Sequence, residues 1–163
     1  MSLFGSRRDF NLFSRINTEL LGDVMEQEIL YHKISLGDTS ANLYGEATDK
    51  IYLPAVKLNC RIETQQGSTE DSEFGSDYSK LVDYNFLRDH MVKADVVPEV
   101  GDIIEWHNNF YEVDTVIENQ FFLGRDNNYQ LEERNDKFGT SVSFLCKTHM
   151  TRADRVGLSK QRL

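Results

Sequence analysis

Two consecutive asparagines, Asn108 and Asn109, stand between half-apolar runs in the stretch VPEVGDIIEWHNNFYEVDTV, Val97 to Val116. Asparagine is one of the few residues besides glycine that tolerates positive φ. A pair of them between alternating runs predicts a tight type I′ hairpin. With the turn there, Trp106 lies opposite Tyr111, Ile104 opposite Val113 and Asp102 opposite Thr115. A longer loop from His107 to Phe110 keeps that register. Side chains alternate along a strand, so Ile104, Trp106, Tyr111 and Val113 share a face that reads as core. The other face carries Glu105 opposite Glu112. Like charges across a ladder destabilise it unless water or a cation meets them. That face is expected to be wet or to receive a partner.

The rest of the chain supplies strands for the hairpin to join. Val56–Thr64, VKLNCRIET, alternates without a break: Val56, Leu58, Cys60 and Ile62 inward, Lys57, Asn59, Arg61 and Glu63 outward. Period two over that length implies an antiparallel sheet with one wet face. Leu81–Leu87 and Ser141–Met150 repeat the pattern, with Val82, Tyr84 and Phe86, then Val142, Phe144, Cys146 and Met150, expected inside. Glu28–Ile34 is also a strand, but its alternation does not say which side is buried. Arg88–Ala94 reads as a short helix or turn. Near the start, Asp9 can cap a helix in which Phe10, Phe13, Ile16 and Leu20 recur at helical spacing, with Gly22 placed to end it; its apolar face would pack on its own domain or, with the arm, dock on a neighbouring subunit. The expected fold is mainly β, a small antiparallel barrel or sandwich with an N-terminal helix and a long acidic loop. A chain of 163 residues can build this as a single domain, without disulfide or metal. Its parts would be a flexible arm over 1–9, a helix over 10–21, a β body over 24–150 and a tail over 151–163.

Two segments break the strand pattern. Gln65–Ser79, QQGSTEDSEFGSDYS, places Glu70, Asp71, Glu73 and Asp77 around Phe74. A loop of this length is expected to be a solvated, mobile hairpin tip or a functional projection. The tail carries Arg152, Arg155, Lys160 and Arg162 against Asp154, a local charge of +3, so the preceding 150 residues carry −12 of the net −9. A basic end on an acidic body invites head-to-tail association that salt should weaken, unless the terminus is simply solvated.

Composition argues against several functions. The acidic balance, with pI about 4.9, disfavours tight nucleic-acid binding, which draws its affinity from Lys and Arg displacing counterions. It suits a conduit through which DNA slides without being gripped. No apolar run approaches the roughly 20 residues of a membrane span. The start MSLFGSRRDF lacks a signal-peptide core, so a cytoplasmic protein without a membrane is expected. His32, His90, His107 and His149 are scattered, and Cys60 and Cys146 fall at inward strand positions, where thiols are inert. No zinc, EF-hand, nucleophile-elbow or phosphate-loop spacing is present. No catalytic residue, metal or cofactor is therefore expected.

The P-x-x-G-D-x-I run of Pro98–Ile104 with its Tyr-Glu-Val arm resembles a segment of phage head–tail connector proteins. More specifically, it is similar to the small neck, or head-completion, proteins of contractile-tailed bacteriophages. Two other stretches fit: FSRINTELLGDVMEQEILYHKI within Asn11–Ile34, and NLYGEATDKIYLPAVKL over Asn42–Leu58. Some members are longer at the C-terminus, and a docking surface they carry there would be missing here. The resemblance implies a structural virion protein of the neck, made in the host cytoplasm and forming a homo-oligomeric, hexameric ring. Its partners would be the portal or connector protein, a tail terminator or tail-completion protein, and packaged double-stranded DNA close by without tight binding. In that setting Glu70, Asp71, Glu73, Phe74 and Asp77 would form a loop toward the channel or the next ring. From charge and periodicity, Arg7, Arg8, Phe10 and Phe13 are candidates for an arm contact, and Arg152 and Arg155 for a tail contact. Glu105 and Glu112 would be the acidic surface that receives one of them. The competing reading is a monomeric small-barrel module that catches a basic protein with its acidic loop.

Overall fold

A computed structural model describes residues 7–35, 37, 39–41, 47–65, 67–72, 75–118, 121–122, 125–126 and 142–158. The chain opens with helix α1 (Arg7–Glu19) and a π-helical turn (Leu20–Met25). Strand β1 (Glu28–His32) follows, then the short β2 (Ser40–Ala41) and β3 (Ala47–Asp49). Next come β4 (Val56–Asn59), β5 (Arg61–Thr64), β6 (Ser68–Ser72), β7 (Gly75–Ser79) and β8 (Leu81–Leu87). Helix α2 (Arg88–Ala94) leads into β9 (Ile103–Trp106) and β10 (Asn109–Glu118). The small β11 (Phe121–Phe122) and β12 (Arg125–Asp126) pair with each other, and β13 (Ser143–Thr151) and helix α3 (Ala153–Val156) end the described chain.

Seven strands form one antiparallel sheet in the order β4-β1-β9-β10-β13-β8-β5. Its two outermost strands are successive in the chain, with only Cys60 between them. The alternating run Val56–Thr64 is thus one bent strand that gives its first half to β1 and its second half to β8. The sheet must curl until its ends meet at Cys60, whose N–H donates to the Gln27 carbonyl at 3.1 Å. No ladder joins β4 to β5, so the sheet is open in its hydrogen bonding while its packing is barrel-like.

Inside the curl lies one core, built from Ile29, Tyr31, Leu58, Cys60, Val82, Tyr84, Phe86, Ile104, Tyr111, Val113, Phe144 and Cys146, with Met91 and Val96 closing one end from α2 and the segment after it. Alternation marks Leu58, Cys60, Val82, Tyr84, Phe86, Ile104, Tyr111, Val113, Phe144 and Cys146 as inward, and the structure adds Ile29 and Tyr31 as the core side of β1. The aromatic rings meet edge-on or offset, Tyr84 against Trp106, Tyr111 and Phe86, and Tyr31 against Phe86, as ring quadrupoles prefer.

The hairpin forms one residue earlier than the asparagine pair suggests. His107 and Asn108 take the two positive-φ places, at 49° and 61°, and Trp106 pairs with Asn109 and Ile104 with Tyr111. Moving a turn by one residue shifts the paired positions by two, which preserves the side-chain faces. Ile104, Trp106, Tyr111 and Val113 therefore still pack together. Asp102 does not pair with Thr115; its carbonyl accepts from Val113 N–H at 2.9 Å, and the residue is fully buried.

Other boundaries also move. The helix begins at Arg7, so Arg7 and Arg8 belong to α1 and not to a loose arm, and Asp9 lies in its first turn. Gly22 does not end it, because the chain continues through the π turn to Glu26, which takes the left-handed cap position at φ 45°. The acidic stretch is a hairpin with strands longer than a tip: β6 and β7 pair from Ser68↔Ser79 to Ser72↔Gly75, with Glu70 opposite Asp77. Glu73 and Phe74 lie outside the described residues.

Candidate functional site

The face expected to be wet is a second core. Ile103 and Phe110 are buried there with Val156 of α3, and Tyr52, Ala153 and Leu158 pack around them. Strand β1 is thus buried on both sides, Ile29 and Tyr31 in the main core and Leu30 and His32 on the other, where His32 meets Phe110 edge-on. Glu105 is 2% exposed and cannot serve as a receiving surface. It sits opposite Phe110, not Glu112, and its Oε2 lies 3.4 Å from His32 Nε2. Glu112 sits opposite Ile103 and accepts from Lys50 Nζ at 2.7 Å. The like-charge pair is thereby taken apart, one carboxylate met by an imidazole and the other by an ammonium. Burial lowers the His32 pKa, against the opposing pull of Glu105. Burial, followed by the Glu112 and Asp102 charges, pushes the Tyr52 hydroxyl up to about 12.

The last segment is docked and does not dangle. Thr151 still pairs with Phe110 in the sheet. Arg152 is extended and exposed, and α3 then turns Val156 down into the outer core. Gly157, at φ 68°, reverses the chain so that Leu158 returns to the same cluster; a β-carbon disfavours that backbone conformation. Arg152 and Arg155 remain on the outside of this strap. Nothing in the spacing of a basic tail marked Val156 as an anchor. The only available signal was a lone branched aliphatic ahead of a glycine.

On the opposite end of the chain, α1 presents an apolar stripe to solvent. Leu12, Phe13, Ile16 and Leu20 are all exposed, and the stripe runs on through Val24, 73% exposed, and Met25. The helix is held to the body through Ser14 Oγ, which donates to Asp89 Oδ2 of α2 at 2.6 Å, and through buried Leu21. Arg15 and Glu19 pair one turn apart beside the stripe. Arg7, Arg8 and Phe10 fall within α1, with side chains outside the described residues, as are those of Glu70, Asp71 and Asp77 in β6 and β7. The helical period located Phe13, Ile16 and Leu20; Leu12, Val24 and Met25 extend the stripe beyond it.

Burial raises the Cys60 pKa and brings that of Cys146 to about 12, so both are thiols with little thiolate at neutral pH. Among the described residues no three His, Cys, Asp or Glu side chains are grouped to hold a metal, and no helix is long and apolar enough to cross a membrane.

No family model matches the chain, and no curated protein matches it. Among solved structures it is similar to a chain described as the virion of a native gene transfer agent particle. The identity is 11%, the match covers 77% of this chain and 94% of that one, and the TM-score is 0.44. At that level the likeness assigns no function by itself. What the geometry offers is a stiff, doubly packed body with an apolar helix face at one terminus and a basic strap at the other.

Proposed function

We propose that this chain is a structural protein of a phage-type virion. It forms a ring in the neck, between the portal or connector and the tail, where it closes the DNA-filled head, retains the genome and offers the surface on which the tail docks. The observation that carries the reading is the exposed stripe Leu12, Phe13, Ile16, Leu20 and Val24 on a helix pinned to the body. Contiguous apolar surface of this kind marks a contact with another protein. The sequence resemblance to neck proteins is what supports placing that contact in the neck.

In this reading the curled sheet gives stiffness, α1 with Arg7, Arg8, Phe10 and Phe13 meets one neighbour, and Arg152 and Arg155 meet another. Heterologous contacts of this kind close into rings when the rotation between copies allows. The β6–β7 hairpin, with Glu70 opposite Asp77, is the projection toward the channel or the adjacent ring. Its acidity would let DNA pass without phosphate contacts.

The test adds purified protein to DNA-filled, tailless heads that lack it. The expected result is that they hold their DNA and accept tails. Heads that gain neither property, with a protein that sediments as a monomer beside connector, would instead favour the monomeric binding module.

A further inference from the structure

The outer core is a socket and plug. The socket floor is Ile103 and Phe110 with Tyr52 beside them, and the plug is Val156, flanked by Ala153 and Leu158. The plug belongs to a single helical turn joined to the sheet through one extended, exposed residue, Arg152. We propose that in the assembled ring this strap is exchanged: the segment from Arg152 onward leaves its own body, and Val156 of one copy fills the Ile103–Phe110 socket of the next. The proposal rests on the ring reading and names the contact that the basic tail makes there.

Three features favour exchange over a permanent intramolecular clasp. The occupant is already known to fit, because every copy carries the same plug and the same socket, and exchanging an identical element is a low-cost route between monomer and oligomer. The plug sits in a layer of its own outside the main core, so the curled sheet stays packed when the strap leaves. Charge selects where the strap ends up. The last 13 residues carry +3 and the rest of each chain −12. Two such bodies repel when brought together, and a strap spanning the seam places the exposed Arg152 and Arg155 between them. An empty socket would expose Phe110 and Ile103, so a ring subunit that has given up its strap is driven to take its neighbour's.

The experiment is disulfide trapping of Tyr52→Cys/Leu158→Cys protein, oxidised over a series of concentrations and read by non-reducing gel beside sedimentation of the same samples. Both sites flank the cluster without being its buried centre. The pair Tyr52→Cys/Ala153→Cys repeats the test if the first variant fails to fold. The expected outcome is a single crosslinked monomer at high dilution and a covalent ladder of multimers in samples that sediment as rings. Rings whose crosslinks all lie within one chain would overturn the exchange and leave the ring standing. A monomer at every attainable concentration, with connector present as well as without it, crosslinked only within the chain, would overturn both.

Discussion

The Tyr31 hydroxyl donates to Asp102 Oδ2 at 2.6 Å, in a place where neither side chain meets water. The same carboxylate accepts from Glu99 N–H and Ile34 N–H, both at 2.8 Å, and Lys33 Nζ stands 3.7 Å away. Lys33 in turn donates to the Val97 carbonyl at 2.7 Å. One buried charge thus ties β1 to the turn that enters the β9–β10 hairpin. Burial, then the Asp102 charge, holds the Tyr31 pKa well above the ordinary tyrosine value, so the hydroxyl remains a donor.

Removing either partner should show how much the tie contributes. Asp102→Ala leaves a hydroxyl and two backbone N–H groups without their acceptor, and a loss of about 3 kcal/mol or more is expected. Tyr31→Phe loses one bond and should cost about 1–2 kcal/mol. Urea unfolding of the two variants checks the order; equal losses would contradict it.

Acid should loosen the protein through its histidines. Burial lowers the pKa of His32, and burial with Lys93 lowers that of His90, from the ordinary value of 6.5. Below that value the unfolded chain takes up protons that the folded chain refuses. Stability is therefore complete above 6.5 and falls as pH drops toward the folded values. Melting temperature against pH should decline on that side, and His32→Gln should flatten the slope. A wild-type profile unchanged between neutral pH and pH about 5 would be inconsistent with both shifts.

The stripe on α1 should matter to assembly and not to folding. Ile16 and Leu20 are exposed, so Ile16→Glu and Leu20→Glu are expected to shift stability by no more than about 0.5 kcal/mol. The same changes should lower the sedimenting mass or the capture on connector-bearing heads. Loss of thermal stability without loss of assembly would mean that the stripe serves the fold.

Charge at the strap gives a salt-dependent test. Arg152→Glu/Arg155→Glu reverses the exposed basic charges and should weaken ring formation most at low ionic strength, where screening is least. An oligomer mass unchanged at low salt would remove the arginines from the interface.

Thiol chemistry should report an intact core. Cys60 and Cys146 are both buried free thiols, and a thiol reagent at mildly alkaline pH is expected to label neither until denaturant is added. Rapid labelling of the folded protein would show that the sheet opens at Cys60.

How much of this was legible beforehand depended on the range of the interaction. Strict alternation in Val56–Thr64 and Leu81–Leu87 gave the inward residues, because the pleat imposes a period of two wherever one face is apolar. The faces of the hairpin were legible even though its turn was misplaced by a residue. For Arg88–Ala94 the sequence left a short helix or a turn open, and the structure makes it a helix. The outer layer was not legible. Glu105 looked like surface because its own strand offers no hint of Val156, some fifty residues on, and a partner brought from that distance leaves no local period. The acidic run was legible as a hairpin tip or a projection, but not the length of its pairing from Ser68 to Ser79, because those strands hold by backbone bonds, which composition does not record.

By itself the sequence determined the pleated core, the acidic body with basic ends, and the helical spacing that makes α1 amphipathic, because each follows from neighbours a few residues apart. Only the tertiary structure decided that one strand would bend at Cys60 to serve both ends of the sheet. It alone decided that the basic tail would fold back as a strap and that the glutamate face would become a socket beneath it. Those outcomes depend on which distant segments meet, and burial energy between distant segments is summed in space and not along the chain.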